Sequence, residues 1–100
     1  MTTDKIAVIS QEKIVSLGIS PSDCLKWVEE GFLKKDLAQM PAKLSVHPQG
    51  EDFMTTMPCL LPEENGQKRF GIKVVNRIES QKPALSSIIY LYDALTGHLL

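Results

Sequence analysis

Aromatic residues are scarce in this chain: three Phe, two Tyr and one Trp among 100 residues. Cysteine is scarcer still. Cys24 and Cys59 are too few for a disulfide framework and do not form a CxxC pair, so reduced, buried thiols in a cytoplasmic protein are the expectation. An excess of one charge sign is also missing. Eleven basic residues stand against 12 acidic ones, which argues against binding driven by counterion release from a nucleic acid. With 43% hydrophobic residues and a net charge of −1, the chain is equally unlike a disordered one. No apolar run approaches the ~20 residues that span a bilayer. The start, Met1-Thr2-Thr3-Asp4-Lys5, lacks the basic segment and long apolar run of a signal peptide. No two glycines stand as G-x-G, the arrangement that lets backbone approach a pyrophosphate, so dinucleotide binding by this chain alone is not expected. His47 and His98 have no spacing of a metal site, and no metal is expected.

What is present is the patterning of one folded unit over residues 1–100, a length that suits a single core. Ile6-Ala7-Val8-Ile9 reads as a short opening strand. Ser10 stands where an N-cap belongs, before Gln11 to Leu17, and Gly18 ends that turn. Ser20-Pro21-Ser22-Asp23 is a stronger start: a capping hydroxyl, a proline at the first helical position and a carboxylate three residues after the cap. The apolar spacing of Cys24, Val28 and Phe32, with Leu25, Leu33 and Leu37, predicts a helix reaching about Leu37. Gly31 weakens it by up to ~1 kcal/mol relative to Ala, which points to a close packing contact there. From Lys43 the period shortens to two. Strands are predicted over Lys43–His47, Asp52–Met57 (closed by Pro58), Phe70–Asn76 and Ser86–Tyr92, the last apolar enough to be covered on both faces. Helices first and strands afterwards predict an α+β fold with a mixed, largely antiparallel sheet. Leu99-Leu100 ends the chain in an apolar run, and a piece of a larger protein is the expectation.

Few side chains suggest chemistry. Cys24 falls on the apolar face of a predicted helix and Cys59 in the apolar run Met57-Pro58-Cys59-Leu60-Leu61, so buried, inert thiols are the better reading, with Cys59 in the core or lining a pocket. Lys73 is more informative. It sits between Ile72 and Val74, and either faces water on a half-wet strand or points inward to pair with a substrate anion. Lys43 lies on a neighbouring predicted strand. Two cations on one sheet would make a carboxylate clamp.

The succession Met40-Pro41-Ala42-Lys43, Asp52-Phe53-Met54-Thr55-Thr56-Met57-Pro58, Gly71-Ile72-Lys73-Val74-Val75 and Asp93-Ala94-Leu95-Thr96-Gly97 resembles the N-terminal part of the ornithine cyclodeaminase/mu-crystallin family. The resemblance covers essentially the whole chain. It implies a cytoplasmic homodimer whose substrate-binding and dimerisation domain is this part, joined to a Rossmann domain absent from this chain. The activity implied is NAD(P)-dependent oxidation and reduction of a small amino, keto or imino acid with deamination, a lyase or oxidoreductase chemistry. Lys43 matches the family's basic position after the proline and Lys73 its G-x-K lysine, both similar to residues that hold the substrate carboxylate. Met57 matches the M-P motif lining the pocket.

Three departures qualify the resemblance. The chain ends before the family's downstream R-T arginine, its glycine-rich cofactor loop and its acid/base Asp, so no catalytic residue is assigned here and the NAD(P) would be bound by the missing domain. Thr55 stands where ornithine-specific members carry Glu, and Ala84 where many have Thr. A non-catalytic, mu-crystallin-like ligand-binding protein and a free-standing dimerising module are the alternative readings.

Overall fold

A computed structural model describes residues 5–100; Met1–Asp4, within the segment read above for a signal peptide, lie outside the described residues. Two helices precede a four-stranded sheet, α1 (Gln11–Ser16), α2 (Pro21–Leu33), β1 (Leu44–Val46), β2 (Phe53–Leu60), β3 (Arg69–Arg77) and β4 (Leu85–Asp93). The fold is α+β. The sheet is a simple meander in the order β1-β2-β3-β4, and every pairing is antiparallel, so the expected parallel component is absent among the described strands. No described helix is long and apolar enough to cross a membrane.

The helix starts follow their local chemistry. The Ser10 hydroxyl accepts the Lys13 N–H, and at α2 the Ser20 hydroxyl accepts the Asp23 N–H while the Asp23 carboxylate accepts the Ser20 N–H. That reciprocal box satisfies two amide donors of the first turn. The end of α2 departs from expectation. It stops at Leu33 rather than Leu37, and a single 3-10 turn follows over Lys35–Leu37. The Lys34 N–H already bonds to Gly31 O, three residues back, so the ladder tightens just after the glycine. Gly31 makes no close contact; a Cβ there would meet nothing within 4 Å.

β2 runs through Pro58 instead of ending at it. Leu60 exchanges both backbone hydrogen bonds with Gln39, on the side of β2 away from β3. Pro58, two residues earlier, turns the same way and falls in the gap between Gln39 and Leu44. β1 does not extend there, so the missing N–H costs no ladder bond. Asn65-Gly66 closes the β2–β3 hairpin with both residues at positive φ, a turn whose twist matches the flanking strands. At the far end, the Asp93 carboxylate accepts the Leu95 N–H and the Gly97 N–H returns to Asp93 O, which confirms the D-x-x-T-G segment as a turn.

Two apolar segments are placed differently from expectation. Ile6–Ile9 forms no strand. The outer edge of β4 is occupied at Leu91 by the Leu100 N–H and at Asp93 by the His98 carbonyl, and Ile6–Ile9 lies beside β4 as one wall of an apolar recess. β4 itself is exposed over most of its length rather than covered on both faces. The helices do not form a covering layer. α2 meets the sheet at its C-terminal end, where Lys34 pairs with Glu64 at 2.6 Å, and its own apolar residues Leu25, Val28, Phe32 and Leu33 remain exposed. Among the described residues no hydrophobic side chain is fully buried. Cys24, expected inside, is exposed, on the part of α2 that lies N-terminal to the recess lined by Val28 and Phe32.

The Ser20 N–H donated to Asp23 holds that carboxyl below the usual carboxylate range, with the Ser20 hydroxyl acting in the same direction. The stabilisation is therefore complete above the ordinary aspartate pKa of 3.8 and is lost as pH falls through the lowered value. Ser20→Ala should cost about 1 kcal/mol in urea melts at neutral pH, and the difference from the native chain should shrink in strong acid. The bare sheet and helix faces are expected to drive self-association, because exposed apolar patches beyond a few hundred Å² mark interfaces. Sedimentation equilibrium at high micromolar concentration checks this, and a strictly monomeric profile would contradict it.

Candidate functional site

Directly paired residues of an antiparallel sheet share a face, so the register sorts the strands into rows. Met57 pairs with Lys73, and Lys73 with Ile89. Leu44 pairs with Thr56, so Lys43, one residue before β1, stands across from Met57 by the same register. The three residues singled out from the sequence thus fall in one row, with Met57 between the two lysines. Strands lie ~4.8 Å apart, which separates the lysine backbones by about 10 Å and leaves their flexible stems able to converge above Met57.

Charge is partitioned by the same register. Arg69, Lys73 and Arg77 on β3 and Asp93 on β4 all lie on the face of Lys73. The opposite face carries no charged residue from any strand and presents Val46, Ile72, Val74, Ile88 and Tyr90, with Phe70 and Tyr92 in tilted ring contact at 5.7 Å. Lys43 and Lys73 are both exposed. The one ion pair formed by the described residues is Lys34–Glu64, so neither ammonium of the row is neutralised by a carboxylate. Lys73 is exposed on the charged side of the sheet.

Thr55, in the adjacent row, is the most deeply placed residue of the site at 5% exposure. Its hydroxyl shares a 2.7 Å hydrogen bond with Ser45, its partner in the β1–β2 register. The sequence marked Thr55 only as a departure from the family pattern; the Ser45 pairing was visible only once the register was known. Cys59 is half-buried and lines a recess with Val28, Phe32, Met40 and Leu61, as pocket lining requires. The His47 ring shares a 2.9 Å hydrogen bond, through Nδ1, with Asp52 O and supports the β1–β2 turn. No group of three or more His, Cys, Asp or Glu capable of holding a metal occurs among the described residues.

The N-terminus of α2 is closed by Ser20 and by an Asp23 carboxylate held in its charged form, which repels a phosphate where an open helix end would attract one. Comparison with known protein families, with curated proteins and with solved structures finds no match.

The Ser45–Thr55 pair should respond asymmetrically to substitution. Ser45→Ala strands a buried hydroxyl and is expected to cost about 1–2 kcal/mol in chemical denaturation. Thr55→Val leaves only the exposed Ser45 hydroxyl, which water can satisfy, and should cost clearly less.

Proposed function

We propose that this chain is the substrate-binding and dimer-forming part of a cytoplasmic, NAD(P)-dependent enzyme similar to the ornithine cyclodeaminases. Its substrate is a small amino, keto or imino acid, whose carboxylate is held by Lys43 and Lys73 above Met57. The observation that carries this reading is the row itself. Two ammonium groups with no carboxylate partner flank one apolar side chain on an open sheet face. An anion above Met57 would receive charge-assisted hydrogen bonds from both sides, and these are about twice as strong as neutral ones. The apolar carbon frame of the substrate would rest on the Met57 thioether, a side chain that adapts to irregular shapes.

The contribution of this chain is positional: it fixes the carboxylate and so presents the adjacent carbon to chemistry performed elsewhere. In this reading NAD(P) is held by another domain of the intact protein. The charge-free face of the sheet is the natural seat of the homodimer contact, because covering it buries apolar side chains without stranding an ion.

In the intact protein Lys73→Met should raise KM for a carboxylate substrate roughly 10- to 100-fold, the equivalent of ~1.5–3 kcal/mol for a hydrogen bond to a charged group. Steady-state kinetics check this. Near-native KM in that variant would leave Lys73 as a water-facing lysine of the kind whose surface ion pairs are worth ~0–1 kcal/mol.

A further inference from the structure

The outer edge of β4 is only partly used. The Asp93 N–H donates to His98 O and the Leu91 carbonyl accepts the Leu100 N–H, so these groups point away from β3. Backbone direction alternates along a strand, and the N–H and C=O of Leu85, Ser87 and Ile89 therefore point the same way. Among the described residues no backbone hydrogen bond reaches any of these outward groups. The register of β4 against β3 is unbroken over residues 85–93, so no bulge turns the edge aside. Residues 85–92 include neither proline nor a charged side chain, two of the devices by which exposed edges are usually blunted.

The recess beside this edge has a volume of about 350 Å³ and is lined by residues 6–9, by residues 88–91 and by Leu99 and Leu100, none of them charged. Ile88 and Ile89 are 60% and 70% exposed, which leaves apolar area for an added segment to bury. The free backbone groups define what form that segment takes. Only extended chain presents donors and acceptors at the same two-residue spacing, and the edge already pairs with extended chain at its far end, through His98 and Leu100. The uncharged lining defines its side chains, which are apolar on both faces of the sheet. A volume of this size, walled by residues 6–9, suits one short segment and not the paired β3 and β4 of a second copy.

We propose that the free edge of β4 is a strand-addition site that takes up an extended, uncharged, apolar peptide segment of another protein. The outward groups of Leu85, Ser87 and Ile89 supply the ladder, and Ile88, Ile89 and Tyr90 supply apolar contact along it. Affinity comes from the main-chain hydrogen bonds and selectivity from the apolar lining, the usual division of labour when a peptide extends a sheet.

Amide hydrogen exchange of Ser87 and Ile89, followed by NMR on the dilute whole protein, reads the edge directly. The probe is the blocked peptide Ser-Thr-Val-Ile-Val-Thr-Ser. Both amides should exchange rapidly in the protein alone and at least ~10-fold more slowly at saturating peptide. The same peptide N-methylated at alternate residues lacks the N–H groups of one edge and should give no slowing. A version with serine at its three central positions should bind more weakly. Ile88→Lys places a charge beside the edge at an exposed position and should abolish the slowing, and the peptide comparison in the native protein stands whether or not that variant folds. Three results overturn the proposal. The two amides are already slow in the dilute protein, which means the edge is filled within the chain. They slow on concentrating the protein without peptide, which makes a second copy the occupant. Or saturating peptide leaves both unchanged.

Discussion

The two-residue period of the antiparallel ladder governs most of what this molecule can do. Because directly opposed residues share a face, fixing Met57 opposite Lys73 and Lys73 opposite Ile89 also fixes which side of the sheet every other strand residue occupies. A slip of one residue between β2 and β3 would move Met57 to the face opposite Lys73 and break the lysine row. The register is held at the hairpin by Asn65-Gly66, where Glu64 and Gln67 exchange backbone hydrogen bonds of 2.8 and 2.9 Å. The β3–β4 register is held in turn by the Ser86 hydroxyl donated to Asn76 at 2.7 Å, a cross-strand pair on the uncharged face. Turn chemistry and side-chain pairing thus cooperate to keep charge on one side.

That segregation gives the two faces different physical tasks. On the uncharged face every strand side chain is apolar or neutral, so it can be covered without desolvating an ion. The charged face combines cations with Thr55, Met57, Val75 and Ile89. The exposure of Ile89 at 70% and of Leu44 at 73%, on opposite faces, shows that neither is closed within the chain. Stability of the sheet therefore depends on backbone pairing and on whatever covers these faces more than on an internal core.

The helical half is joined to the sheet sparingly. Lys34–Glu64 and the recess at Cys59 and Phe32 link the end of α2 to β2, while the start of α2 is stabilised locally by its own capping box. A helix whose apolar residues stay exposed draws its order from caps and propensity, and these contribute small increments compared with the burial of an apolar face. Leu25, Val28 and Phe32 repeat at a spacing that would suit a buried stripe, yet they are open in this chain.

Local chemistry was legible in the residues alone. Ser10 and Ser20 announced their helices, Gly97 and Asp93 their turn, and the alternation after Lys43 the strands, because caps, turns and strand periodicity are decided by neighbours within a few positions. Lys43, Met57 and Lys73 could be named as candidates, but not aligned. Their alignment depends on pairing between residues 14 and 16 positions apart, which no local pattern contains. The passage of β2 through Pro58 and the early end of α2 were likewise hidden, since one depends on the gap beside β1 and the other on a hydrogen bond tightening after Gly31. Burial was misread most clearly. Cys24 and the apolar residues of β4 look like core in the sequence, and only the arrangement of helices against sheet leaves them uncovered, because hydrophobic patterning states what should be hidden and not what hides it.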